Sequence, residues 1–98
     1  MIIITKSETQ CRIWIKKRYP GAFIKKWPDF KQTSQTHSAG VPDFLVIHEG
    51  ITFWVECKTY KAKTFTPAQK YMFPVMQKAG AIIFVWEKQK KGFKLYNY

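Results

Sequence analysis

Two neighbouring runs, Asp43 to His48 and Ile51 to Lys58, are apolar, β-branched and aromatic, and only Glu49-Gly50 separates them. Such a pair reads as a β-hairpin closed by a two-residue turn, a weaker signal than Asn-Gly but of the same kind. Alternation places Leu45, Ile47 and Trp54 on one face and Phe44, Val46, Phe53 and Val55 on the other. A sheet that is apolar on both faces must be covered on both, so the rest of the chain has to supply two layers.

Two segments can do so. Residues 5–19 read as a helix: Thr5-x-x-Glu8 and Ser7-x-x-Gln10 both fit a capping box, and Pro20-Gly21 ends the run. Its inward stripe is Cys11, Trp14, Ile15 and Tyr19. Thr66-Pro67-Ala68-Gln69 opens a second helix, with Thr as N-cap and Pro at the first position, which runs to about Ala79 and stops at Gly80. Ala22 to Trp27, Ala81 to Glu87 and Phe93 to Tyr98 read as further strands, and the polar stretch from Pro28 to Gly40 as an irregular loop. The expected order is α-β-β-β-α-β-β. With 98 residues, 46% of them apolar, this predicts one α/β domain over residues 1–98, its central mixed sheet flanked by helices on both faces.

The charge balance narrows the partners. Seventeen Lys and Arg against six Asp and Glu leave a formal charge of +11, and that self-repulsion points to a polyanion. The basic residues cluster at Lys16-Lys17-Arg18, Lys25-Lys26, Lys58 with Lys61 and Lys63, and Lys88-Lys90-Lys91. None has the spacing of a base-reading helix, so contacts to the phosphate backbone are expected, with Lys25, Lys26, Lys61 and Lys63 as DNA-binding residues. The longest apolar run, Ala79 to Trp86, is too short to cross a bilayer. Two cysteines make no disulfide framework, and the N-terminus has no secretory pattern, so a reducing, cytoplasmic setting without membrane contact is expected.

Chemistry enters through the hairpin register. If His48 faces Ile51, then counting back puts Asp43 opposite Glu56, with Cβ atoms ~4.5–5.5 Å apart on one face. Two opposed carboxylates destabilise a sheet unless positive charge sits with them, and Lys58 follows Glu56 by the strand's period of two, on that same face. Cys57 points the other way, into the core, which removes it as a nucleophile. Glu8 lies on the sheet-facing side of the first helix, so three of only six acids converge. Such a set suits a hard divalent cation such as Mg²⁺, and the lysine could orient water or offset phosphate charge. His37 and His48 show no catalytic pattern, and two cysteines with two histidines lack zinc-ligand spacing.

Val41-Pro42-Asp43 followed by Val55-Glu56-Cys57-Lys58 resembles the PD-(D/E)xK nuclease superfamily, whose common core has the same α-β-β-β-α-β order. Within it, Glu8 on an early helix, Gly40 before Pro42-Asp43, Glu56-x-Lys58 and Thr66-Pro67-x-Gln69 are similar to the small stand-alone VRR-NUC (virus-type replication-repair nuclease) domains. The resemblance covers about residues 5–86 and implies a restriction-endonuclease-like fold. It also implies Mg²⁺ or Mn²⁺ bound by Asp43 and Glu56 with help from Glu8, water served by Lys58, and Gln69 supporting the site or touching phosphate. The implied activity is endonucleolytic hydrolysis of DNA, selective for Holliday junctions or other branched structures, by a homodimer. The alternatives are a non-catalytic nucleic-acid-binding module of the same charge, and a sequence-specific restriction-like nuclease.

Overall fold

In the computed structural model, which describes residues 6–27, 40–60 and 64–98, the hairpin forms in the register that its loop length sets. Strands β2 (Phe44–His48) and β3 (Ile51–Lys58) pair antiparallel from His48↔Ile51 to Phe44↔Val55. Glu49 (φ 48°) and Gly50 (φ 80°) both take positive φ, as a two-residue turn that follows the strand twist requires.

The remaining elements are α1 (Lys6–Arg18), β1 (Phe23–Lys26), α2 (Pro67–Lys78), β4 (Ile83–Lys88) and β5 (Phe93–Asn97). They complete a five-stranded mixed sheet in the order β1-β2-β3-β4-β5, in which only β3 and β4 run parallel, joined by the crossover through α2. The α/β architecture and the element order are those expected.

Strand alternation then divides the two layers. Phe44, Val46, Phe53, Val55, Cys57 and Trp86 face α1, where Cys11 and Ile15 are fully buried against them and Trp14 and Tyr19 pack at the margin. Burial and the adjacent Cys11 push the Cys57 thiol far up, so it stays a neutral core group. Ile83 and Val85 alternate to the opposite face, where Phe73 of α2 is fully buried and its ring meets Phe65 and Tyr98 edge-on.

Several boundaries differ from expectation for local reasons. Helix α1 already includes Ser7, so Ser7 is a first-turn residue and caps nothing; Thr5 lies outside the described residues. Ala81 is held by its N–H to the Met76 carbonyl in the turn that closes α2, so β4 begins at Ile83. Helix α2 has the full capping box of Thr66 and Gln69, and it also carries Pro74 within its span, which sequence reading passed over. The loop expected from Pro28 to Gly40 lies, up to its last residue, outside the described residues.

Gly40 sets how closely the chain approaches α2. Its φ is +84°, and a Cβ there would stand 2.5 Å from the Ala68 carbonyl oxygen and 2.8 Å from its carbon. Both atoms belong to helix backbone and cannot step aside. Gly40→Ala is therefore expected to cost about 2–4 kcal/mol, the sum of a left-handed backbone and overpacking, read as a lowered urea midpoint at unchanged slope.

Candidate active site

The sheet delivers its polar residues to one end of the hairpin. Pro42 is fully buried and offers no N–H, and the Cys57 N–H beside it is taken by a side chain: Asp43 Oδ2 accepts it at 2.8 Å. The Asp43 carboxylate thus substitutes for a ladder rung, which is why β2 starts one residue later than expected. In return the Asp43 N–H donates to Glu56 Oε1 at 3.2 Å, so the two opposed acids are joined through main chain as well as by register.

Glu56 and Lys58 lie on the α2 face and are only 3% and 7% exposed. Such burial of charge requires partners, and α2 supplies one. Gln69 donates its Nε2 to Glu56 Oε2 at 2.7 Å and accepts from Lys58 Nζ at 2.8 Å, while Lys58 also stands 3.3 Å from Glu56 Oε2. The Phe65 ring lies under the ammonium at 4.4 Å. Gln69 meanwhile accepts the Thr66 N–H as part of the capping box, so the helix start and the polar cluster share one side chain.

On the other side of the sheet, Lys26 of β1 reaches Asp43 Oδ1 at 3.2 Å and Glu8 Oε2 of α1 at 2.7 Å. Glu8, Asp43, Glu56, Lys58 and Gln69, the five expected catalytic residues, therefore stand in one connected network with Lys26 added. Lys26 was expected on a DNA-binding surface; its ammonium is instead drawn in between two carboxylates. Lys25 is half-buried in β1, opposite Leu45, and Lys61 and Lys63 lie outside the described residues, as does His37.

The electrostatics follow from burial. Burial pushes the Glu56 carboxyl up to about 8, the Asp43 carboxylate adds to the rise, and Lys58 and Gln69 counter it. Asp43 is also raised by burial, against the pull of Lys26 and the Cys57 N–H. Burial lowers Lys26, but Asp43 and Glu8 outweigh that and leave it above its ordinary value.

Compared with known proteins, the chain matches no protein-family model, and no curated protein matches its sequence. The site's chemistry therefore rests on its own donors.

For a hard divalent cation those donors are of the right kind. Glu8 and Asp43 already direct carboxylate oxygens at one positive centre, and Glu56 adjoins Asp43 through its N–H. The expected set of three is not assembled as a ready cage: among the described residues no three His, Cys, Asp or Glu side chains group as metal ligands. Lysines are the reason, since Lys26 stands between Glu8 and Asp43 while Glu56 turns to Lys58 and Gln69.

Sequence reading missed Glu87. The parallel register sets it beside Lys58 on β4, 9% exposed, accepting from Tyr96 Oη at 3.2 Å and Gln89 Nε2 at 2.9 Å. The one signal was an apolar strand ending in an acid; its alignment with Lys58 depends on the crossover and cannot be counted from a turn.

Proposed function

We propose that the chain is a metal-dependent DNA endonuclease with the restriction-endonuclease-like arrangement of the PD-(D/E)xK superfamily and closest in kind to VRR-NUC domains. The observation that supports this best is the single polar network in which Asp43, Glu56, Lys58 and Gln69 meet across β2, β3 and α2. Asp43, Glu56 and Glu8 would hold Mg²⁺ or Mn²⁺, which when bound offsets phosphate charge and acidifies water. Lys58, held by Gln69 and the Phe65 face, would supply the positive charge that orients an attacking water or a phosphate oxygen. Gln69 bridges Glu56 and Lys58, which stand 3.3 Å apart, and anchors both to the first turn of α2. The excess of +11 supplies affinity for the DNA backbone without reading bases.

Branched DNA is the proposed substrate and a homodimer the proposed assembly, since paired cuts at a junction call for two sites related by a two-fold axis. Exposed Phe93 and Leu95 on the edge strand β5 are available to such an interface. No described helix is long and apolar enough to cross a membrane.

The test incubates purified protein with a four-way junction, a flap and linear duplex, each with Mg²⁺, Mn²⁺ or EDTA. Cutting of the junction or flap that EDTA abolishes is the expected result. Tight, EDTA-resistant binding with no cutting of any substrate would favour the binding module. Cutting at fixed positions in plain duplex would favour a sequence-specific nuclease.

A further inference from the structure

Three oxygens from separate parts of the chain surround the Lys26 ammonium. They are Glu8 Oε2 of α1 at 2.7 Å, Asp43 Oδ1 ahead of β2 at 3.2 Å, and the Trp27 main-chain carbonyl at 3.3 Å. A lysine has three N–H bonds to donate, and these oxygens match them. The position is fixed from the backbone up. The Trp27 N–H bonds to the Asp43 carbonyl at 2.6 Å, which locks the end of β1 onto the start of β2. Lys26 pairs with Phe44, so it projects to the α1 side, its ammonium 5.8 Å from the Phe44 ring centre. From there only the head reaches the sheet end, where both carboxylates are mostly covered.

An all-oxygen cage with two carboxylates is ligand chemistry suited to a hard divalent cation, yet it encloses a monovalent one. Two carboxylates carry two negative charges and the ammonium supplies one positive charge. A divalent ion would neutralise the pair in full and would meet the same three oxygens.

We propose that Lys26 is a place-holding cation, which fills the Glu8–Asp43–Trp27 oxygen cage in the metal-free protein and withdraws when a divalent ion enters. This rests on the metal-dependent reading above and adds a control to it. Without Lys26 the fold would bury two like charges side by side, at a cost that breaking such a contact normally exacts. With it the protein folds free of metal, and every metal ion that binds must first displace an ammonium. Lys26 is on this account a positioning residue, and metal affinity, not folding alone, is what it sets.

The test titrates the full chain with Mg²⁺ by calorimetry and with Mn²⁺ by electron paramagnetic resonance, for the wild type, Lys26→Met and Lys26→Arg. Thermal unfolding is followed in EDTA and in saturating Mg²⁺. Lys26→Met is expected to bind both ions at least ~10-fold more tightly, the scale of removing one adjacent like charge. It should melt earlier than wild type in EDTA and recover with Mg²⁺, whereas Lys26→Arg, which keeps a cation, should bind metal as the wild type does. Equal or weaker metal binding by Lys26→Met overturns the proposal, and so does a Met variant that stays unfolded in saturating Mg²⁺. If the wild type cuts DNA with Mg²⁺ and the Met variant gains no affinity, the place-holder fails and the nuclease reading stands. If neither protein binds metal and neither cuts, both fail.

Discussion

Asp43→Asn is expected to lower Mg²⁺-dependent cleavage by ~10³-fold or more while DNA binding in EDTA persists, because ion-assisted charge stabilisation is worth several kcal/mol of barrier. The substitution is chosen for what it spares. Asn keeps an oxygen that can accept the Cys57 N–H, the contact that stands in for a rung of the β2–β3 ladder, so the hairpin start is retained. What it removes is a negative oxygen beside Lys26 and Glu8. Lys58→Met, which keeps the length of the stem over Phe65, should lose cleavage to a similar degree while binding metal at least as tightly as the wild type, since it removes a cation 3.3 Å from Glu56 Oε2. Single-turnover rates on the preferred substrate, with a gel shift on the same samples, check both. Cleavage by Asp43→Asn within tenfold of wild type would remove the reading of Asp43 as a ligand.

How much of this was legible in the sequence depends on whether a contact can be counted. Asp43 and Glu56 could be placed opposite each other because a two-residue turn fixes the register and the strand period does the rest. Lys58 and Cys57 followed from that same period, one to the polar cluster and one to the core. Gln69 was legible from its spacing as a capping residue and from the family resemblance as a site residue, while its contact with Glu56 depends on α2 crossing back over the face that carries Glu56. Lys26 was legible as a basic residue expected on a DNA-binding surface, and its place between two carboxylates was not. Its strand is joined to β2 through a long polar stretch, which leaves the β1 register free, and register alone decides whether its ammonium meets Asp43 or solvent. Glu8 was legible on the sheet-facing side of α1, but it forms an ion pair with Lys26 on β1, a strand whose alignment no local rule supplied. Glu87 was lost for the same reason across the parallel β3–β4 pair.

In the absence of metal, stability is expected to fall as pH rises from about 5 to 9, on the order of a few kcal/mol from Glu56 alone. The sign follows from which state holds the proton. Burial first, and then Asp43, lift the Glu56 carboxyl from its ordinary 4.5 to about 8, so between those values the folded chain keeps a proton that the unfolded chain has released. Stability from this group is complete below about 4.5, declines through the interval and is lost above about 8. Asp43 is also raised by burial and adds a fall of the same sign that begins at lower pH. Overall positive charge acts the other way, since each proton lost from the folded chain eases repulsion. Glu56→Gln separates the two effects: Gln carries no charge at any pH, so the variant should lose most of the decline and keep the general trend. Its amide NH2 must face either the Asp43 N–H or the Gln69 amide and Lys58 ammonium, all donors, whereas both oxygens of a protonated carboxyl can accept, so the variant should be the less stable protein at pH 5 and, with no charge to bury, the more stable one at pH 9. Urea midpoints in EDTA across that range show whether the curves cross. Parallel curves would mean that Glu56 is already ionised in the folded state at neutral pH, its charge carried by Lys58 and Gln69 alone. Saturating Mg²⁺ should flatten the wild-type curve, because a divalent ion at the acids takes the place of the proton that burial otherwise retains.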